Sequence, residues 1–307
     1  MSMASTPAAA AGFHPGELAV QREAGVERQA ARLSRMAEPA GISAGMAGFL
    51  AERTFLVVTG RDAGGRLWTS PVVGPPGFLE TRSATTLAVH GAIPEGDPLH
   101  GLPAGQKLGM TSIEFATRRR VRINGTLTAA AQDHLIVEVE QAYGNCPQYI
   151  QQRVLAEETA STAPVENRTE FSRTDTEMIA AADTFFLGTI NPEHGADASH
   201  RGGAPGFVRV EGNTLWWPDY PGNNLFNSLG NLAVDPEAAL LFPDFASGRI
   251  LQVSGTAAIE WGEAGRAGDD GYTGRIVRFA VERVVSGRPM ARQLAHTPYP
   301  RNPALIK

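Results

Sequence analysis

Short runs in which apolar and polar residues alternate occupy most of this chain, and turn residues separate them. Thr54–Thr59 is apolar in its middle, Asp62–Gly65 is a turn, and Leu67–Val73 is a second run. Runs of this length between Gly, Pro and Asp clusters are typical of antiparallel strands and hairpins. The pattern predicts further strands at 85–90, 106–113, 119–128, 134–143, 184–190, 197–201, 206–210, 214–218, 238–243, 249–259 and 275–285.

Helical spacing is confined to a few stretches. Apolar positions recur at intervals of three or four near 13–37, 43–52, 174–181 and 223–232, and Pro236 follows the last of these. The fold class we predict is therefore mainly β with short helices. Many short strands and few helices favour an antiparallel barrel over a parallel sheet.

One pattern occurs twice along the chain. Ser and Phe are eight residues apart in Ser70–Phe78 and in Ser199–Phe207, and Phe and Gly are ten apart in Phe115–Gly125 and in Phe245–Gly255. The gap between the two blocks is 37 residues in one copy and 38 in the other. Because these three spacings recur in both copies, they predict a duplicated unit. A pseudo-symmetric pair of units offers a ligand cleft at the interface between them.

The repeat divides the chain into four parts. We expect an N-terminal tail and helix over 1–42, a first unit over 43–155, a linker over 156–173, and a second unit with an extended tail over 174–307. The linker is rich in small and polar residues, which suits an exposed connection.

Composition excludes some classes of function. The net charge of −5 argues against a nucleic-acid binder, which would show a basic face. Cys146 is the one cysteine, so no intrachain disulfide can form. The N-terminus lacks the pattern of a signal peptide and no run of 18 apolar residues exists, so we expect a cytoplasmic protein without a membrane partner.

Common catalytic and metal-binding motifs are missing from the sequence. The seven histidines are scattered, and His194 and His200 with Asp197 between them make a poor ligand set, so we predict no metal site. Cys146 is either an inert small side chain or a thiol that faces a ligand.

A phosphate-sized site remains. Ser199, His200 and Arg201 are consecutive at a strand end, and Gly222, Asn223 and Asn224 precede a predicted helix. Backbone N–H groups at a helix start can bind an anion, and Arg gives forked contacts to phosphate. The spacing equally suits an ordinary helix cap, with Arg201 paired to a nearby carboxylate.

A second basic segment lies in the first unit. In Arg118-Arg119-Arg120-Val-Arg122 on a predicted strand, Arg119 faces away from Arg118 and Arg120. The arginines either guard a solvated strand edge, or one face contributes them across the interface between the units to an anionic ligand.

The stretch Trp216–Asn224, followed by Asp235–Pro243, resembles the pyridoxamine 5'-phosphate oxidase family of FMN-binding split β-barrels. The family has an aromatic-Tyr-Thr-Asn strand end, then Ser-Arg-Lys at a helix start, and later Asn-Pro-x-x-x-Leu-Leu-Phe. The resemblance is good over about 176–260 and weaker over 45–143. It implies two tandem split β-barrel units packed as an intrachain pseudo-dimer.

The resemblance assigns individual positions. Gly222, Asn223 and Asn224 fall where the family holds the FMN phosphate with Ser, Arg and Lys. Trp217 and Pro218 fall on residues that line the site. Arg249 falls on a family arginine, and Arg119 is its counterpart in the first unit. Arg201 then supplies the charge that the two asparagines lack, and Ile250 stands where the family has a ring-contacting Gln.

We therefore expect an FMN-dependent oxidoreductase with one good flavin site per chain, acting on a small-molecule substrate or electron donor other than pyridoxamine phosphate. The flavin would supply the chemistry and the protein its orientation, with His200 as a candidate proton relay. The chain could also form a homodimer. The alternative is a non-catalytic protein that binds flavin, deazaflavin or haem at the same interface between the two units, or an interaction module with a vestigial site.

Overall fold

The two halves of the chain form two antiparallel sheets with the same strand order. The structure, a computed structural model, describes residues 12–38, 40–156, 165–266, 268–289 and 291–305. The helices are α1 (Pro15–Glu23), α2 (Glu27–Ala31), α3 (Ala44–Ala51), α4 (Arg173–Ala181) and α5 (Asn227–Leu232). The mainly β architecture with few helices is confirmed. No helix in the described part of the chain is long and apolar enough to cross a membrane.

The first sheet contains seven strands in the order β2-β1-β5-β6-β7-β4-β3. The bounds are β1 (Phe55–Arg61), β2 (Leu67–Val73), β3 (Leu79–Ser83), β4 (Thr86–Val89), β5 (Lys107–Glu114), β6 (Arg119–Ala130) and β7 (Leu135–Gly144). All neighbouring strands pair antiparallel. Apolar side chains from β1 to β7 form one core inside this sheet, and α3 contributes Phe49 and Leu50 to it.

The second sheet repeats this order as β11-β10-β14-β15-β16-β13-β12, with β9 added against β16. The bounds are β9 (Glu166–Arg168), β10 (Thr184–Asn191), β11 (Gly195–Gly202), β12 (Arg209–Glu211), β13 (Thr214–Pro218), β14 (Glu237–Asp244), β15 (Arg249–Trp261) and β16 (Arg275–Pro289). Its core contains Phe185, Phe207 and Trp217. The matching order places β6 where β15 lies, as the repeated Phe-to-Gly spacing predicts.

A third core joins the two sheets. It contains Phe55, Val57, Ile113, Phe115 and Ile150 from the first half. From the second half it contains Phe186, Leu241, Phe245 and Ile250. We call this contact the seam. Two glycines permit its close approach, because a Cβ on Gly109 would lie 2.4 Å from the Asp197 backbone and one on Gly188 would lie 2.2 Å from Thr69 Oγ1.

Some boundaries differ from the prediction. The helix predicted over 13–37 is broken after α1, where Gly25 adopts a φ of 67° that other residues avoid. Within the predicted linker, β9 pairs with β16, while 157–164 lie outside the described residues, as does most of the predicted N-terminal tail. The C-terminal segment contains β17 (Gln293–Thr297), which pairs with β8 (Gln152–Leu155).

Candidate functional site

A cleft opens at the seam, with walls from both halves of the chain. The first half contributes β6 and the segment after β7, and the second contributes β11, the end of β13 and the segment leading to α5. The volume of the cleft is about 110 Å³. Its lining includes Arg120, Arg122, Asn145, Cys146, Gln148, Tyr149, Ser199, His200, Arg201, Pro218, Asp219, Tyr220, Gly222, Asn223, Asn224, Phe226, Asn227 and Ser228.

Most of the site residues proposed from the sequence meet in this cleft. They are Ser199, His200, Arg201, Pro218, Gly222, Asn223 and Asn224. Hydrogen bonds order the turn among them, because Asn223 donates to Asn145 Oδ1 over 3.0 Å and accepts from the Leu225 backbone over 3.1 Å. Cys146 also lines the cleft, half-buried.

The expectation that the Gly222–Asn224 turn opens a helix is wrong. The helix α5 begins only at Asn227, and its N-cap Phe226 adopts a left-handed φ of 64° without a side-chain cap. Asn224 is also left-handed, with a φ of 61°. The turn therefore offers side-chain and loop groups to a ligand, and any fixed charge must come from elsewhere.

Trp217 was expected to lie against the ligand, and the structure contradicts this. Its side chain is 0% exposed and packs edge-on against Phe185 at 5.0 Å between ring centroids. Side chains alternate between the two faces of a strand. On β13, Trp217 takes the core side.

Arg119 and Arg249 were also expected at the ligand, and neither lines the cleft. The guanidinium of Arg119 lies over the Phe49 ring, 5.1 Å from its centroid. Arg249 pairs in register with Asp244 and Pro289 of the second sheet. Because strand faces alternate, it is Arg120 and Arg122 that point into the cleft. The arginine segment therefore reaches the cleft through Arg120 and Arg122, whereas Arg119 lies on the opposite face of the strand.

Two carboxylates neutralise some of the arginines at the cleft. Arg122 lies 3.2 Å from Asp197 Oδ2. Arg201 and Arg275 share Asp219, at 2.8 and 2.9 Å from its two oxygens. Arg201 therefore has the carboxylate partner that one of the two interpretations of the sequence predicts. Because Asp219 also pairs with Arg275, one negative charge is shared between two guanidiniums.

Arg120 has no carboxylate partner among the described residues. It donates to the Gln148 carbonyl over 3.0 Å and to His200 Nδ1 over 3.2 Å. Burial, with the repulsion of Arg122 added, lowers the pKa of Arg120 to about 9. The group is still charged at pH 7. Together with Arg122, Arg201 and Arg275, it leaves two positive charges in excess of Asp197 and Asp219.

His200 was the candidate proton relay, and its surroundings argue against that role. Burial, and then the charge of Arg120, hold the pKa of His200 well below its usual value. Arginine can only donate, so His200 Nδ1 accepts and Nε2 carries the proton. His200 is therefore a neutral N–H donor that cannot readily take up a second proton.

The unpartnered buried atoms at the cleft share one property, since all can donate. They are Arg120 Nε, His200 Nε2, Arg201 Nε and Tyr220 Oη. Buried donors normally have partners, and leaving one unmet costs about 1–3 kcal/mol. A group rich in acceptor oxygens would satisfy them.

The pseudo-symmetric position on the other side of the seam is closed. There Gln252 stands in place of Arg122, Ile250 in place of Arg120 and Val72 in place of Arg201. Gln252 Nε2 donates to Ser70 Oγ over 2.8 Å, and Ser70 Oγ donates to Asp97 over 2.6 Å. Without the arginines, this position carries no excess positive charge.

The helix α1 packs against α5 beside the cleft. Its Glu17 is 3% exposed and accepts from Asn227 Nδ2 over 2.7 Å, at the start of α5. Burial raises the pKa of Glu17 to about 7, and burial lowers the pKa of His14 at the helix N-cap to about 4.

These two groups act on stability in opposite directions. The folded state retains the Glu17 proton up to about pH 7, so this group lowers the free energy of unfolding as pH rises from 4.5 to 7. His14 stays neutral when folded, so its contribution rises with pH between 4 and 6.5. The two contributions partly cancel between about pH 4.5 and 6.5 in the wild type.

We expect Glu17→Gln to remove that cancellation. Urea unfolding at pH 4.5, 5.5 and 7.5 should show the variant gaining stability relative to the wild type as pH rises. Glu23→Gln, an exposed change on the same helix, should run parallel to the wild type. A Glu17→Gln curve that also runs parallel would contradict the burial of an ionisable Glu17.

Residues 173–284 match the family model described as pyridoxamine 5'-phosphate oxidase. This confirms the resemblance predicted from Trp216–Asn224 and Asp235–Pro243, and residues 173–284 are similar to that family. A search of curated proteins finds no match.

Several solved structures are similar to part of the chain. HupZ of Group A Streptococcus is 14% identical over 39% of this chain and 98% of its own, with a TM-score of 0.30. A protein of Lactobacillus delbrueckii described as a putative pyridoxamine 5'-phosphate oxidase is 15% identical over 38% and 93%, with a TM-score of 0.29. HutZ, a haem storage protein of Vibrio cholerae, is 11% identical over 39% and 97%, with a TM-score of 0.28.

Proposed function

We propose, starting from the relation of residues 173–284 to the pyridoxamine 5'-phosphate oxidase family, that the seam cleft binds the phosphate of one FMN and that the protein is an FMN-dependent oxidoreductase. In this proposal the two sheets are split-barrel units packed as an intrachain pseudo-dimer. The observation that carries it is the environment of Arg120. This buried guanidinium has no carboxylate partner among the described residues, and the unpartnered buried atoms of the cleft can all donate hydrogen bonds.

The charge at the cleft fits a phosphate monoester. Such a group carries about −1.5 to −2 at pH 7, and the arginines exceed the carboxylates by two. A buried cation without a partner costs free energy. An anion that pairs with Arg120 removes this cost, and the difference contributes to the binding free energy. Arg201, Ser199 and Asn224 would complete the phosphate contacts.

The size of the cleft supports a position at its mouth for the rest of the ligand. Sites that bury a whole drug-sized ligand are about 300–1,000 Å³, whereas the volume of this cleft is about 110 Å³. A cleft of this volume suits the phosphate end of FMN. Tyr149, Tyr220 and Phe226 line the cleft and offer aromatic surface to a ring system, in the role that Trp217 was expected to fill.

When bound, FMN would supply hydride or electron transfer between a donor and an acceptor. The chain's own residues would fix the phosphate, present the neutral His200 N–H and keep the pseudo-symmetric position closed. Because Ile250 and Gln252 replace the arginines there, we propose one FMN per chain.

Titration of the ligand-free protein with FMN tests the proposal. We expect saturation at one FMN per chain, quenched flavin fluorescence, and about 2.7 kcal/mol of added stability at 100 times Kd. A protein that binds no FMN and gains no stability would overturn it. A Soret band on adding haem, without any response to FMN, would favour the binding-protein alternative.

A further inference from the structure

A second cavity lies behind Asp197, on the side away from the cleft. It is about 160 Å³ and is bounded by the start of α1, by β6 and β7, and by the turn into β11. Its lining includes His14, Glu17, Asn124, Glu140, Gln141, His194, Asp197, Asn227 and Asn231. The family relation assigns nothing to it.

Three buried atoms in this cavity have no hydrogen-bond partner among the described residues, although one of them lies 3.8 Å from Glu17 Oε2. They are Asp197 Oδ1, Asn124 Oδ1 and His14 Nε2. Asp197 is 2% exposed, and its other oxygen accepts from Ser228 over 2.6 Å and lies 3.2 Å from Arg122. The cleft therefore engages one oxygen of this carboxylate, and the second cavity receives the other.

Hydrogen bonds define what each free atom can do. The Gly16 backbone N–H donates to His14 Nδ1 over 3.2 Å, so Nε2 carries the proton and donates. Asn124 Nδ2 donates to Gln141, so its oxygen is the free acceptor. The cavity thus presents a carboxylate oxygen, an amide oxygen and one N–H. The cavity therefore mainly accepts hydrogen bonds, whereas the unpartnered atoms at the cleft donate them.

We propose that the second cavity binds a small primary amine that has a hydroxyl or carbonyl oxygen next to its ammonium group. The ammonium donates to Asp197 Oδ1 and Asn124 Oδ1, and the neighbouring oxygen accepts from His14 Nε2. Burial raises the pKa of Glu17 at the same cavity to about 7.

A metal ion fits these residues less well. No group of three His, Cys, Asp or Glu side chains suited to a metal occurs among the described residues. His14 Nε2 carries a proton and cannot ligate in that form. Glu140 at the rim already pairs with Lys107.

Calorimetric titration of the full chain with ethanolammonium chloride tests the proposal. We expect one saturable site with a millimolar Kd. Asp197→Asn and Asn124→Leu should each weaken binding about tenfold or more, the loss expected for one charge-assisted hydrogen bond. Gln132→Leu, an exposed amide-to-apolar change in the β6–β7 turn, should bind like the wild type.

Three results would overturn the proposal. They are no saturable heat with the wild type, equal affinity for uncharged ethylene glycol, or unchanged affinity in Asn124→Leu. Circular dichroism establishes that each variant is folded. If Asp197→Asn fails to fold, Asn124→Leu decides, since Asn124 is only partly buried and its side chain donates one hydrogen bond, to Gln141.

Discussion

Arg120→Gln should weaken FMN binding by about 10- to 150-fold, the equivalent of about 1.5–3 kcal/mol for hydrogen bonds to a charged group. The variant removes the cleft guanidinium that has no carboxylate partner among the described residues. Glutamine retains a donor for the Gln148 carbonyl, so the local loop keeps a hydrogen bond. Fluorescence titration with FMN measures the loss.

Arg119→Gln is the matched control. It makes the same change one residue away, on the strand face where Arg119 lies over Phe49 rather than in the cleft. FMN affinity should stay within about twofold of the wild type, because surface changes away from special features usually cost less than 0.5 kcal/mol. Equal losses in the two variants would mean that general charge, and not the Arg120 position, attracts the ligand.

Gly188→Val should destabilise the protein by about 3 kcal/mol or more, beyond the usual range for overpacking. A Cβ there would lie 2.2 Å from Thr69 Oγ1 and 2.6 Å from Thr59 Oγ1 across the seam. Both threonines are fully buried and hydrogen-bonded to each other over 3.0 Å, so neither can move aside. For a chain of this size, the loss corresponds to a fall in Tm of roughly 5 °C.

Gly48→Ala provides a control with the opposite sign. Gly48 lies in α3 on the exposed face, with open space where a Cβ would be. The helix should gain about 0.5–1 kcal/mol. Calorimetric scans of both variants compare the two sites, and a neutral Gly188→Val would show that the seam between the sheets is looser than the structure implies.

The repeated spacings predict the fold well, because duplicated strands keep their order. The Phe115–Gly125 and Phe245–Gly255 blocks become β6 and β15, which occupy the same place in the two sheets. Helix starts are predicted less well. Phe226 and Asn224 adopt left-handed backbone angles, and nothing in the local sequence requires that of either residue.

The candidate site is predictable in part. Ser199, Arg201 and the Gly222–Asn224 turn follow from motif position, and all line the cleft. The choice between Arg119 and Arg120 depends on which strand face meets the other half of the chain. The alternation of side chains along a strand puts Arg119 and Arg120 on opposite faces, but it does not show which face points toward the other half of the chain. Asp197 was noticed only as a poor metal ligand, and its pairing with Arg122 is a long-range contact.

The most direct measurement compares FMN with riboflavin, which has the same ring system without the phosphate. If the cleft arginines hold the phosphate, FMN should bind at one site per chain and about 100-fold more tightly than riboflavin, the effect of about 2.7 kcal/mol from charge-assisted contacts. The difference should shrink to less than about tenfold in Arg120→Gln. Equal affinities of the wild type for FMN and riboflavin would contradict a phosphate site in this cleft.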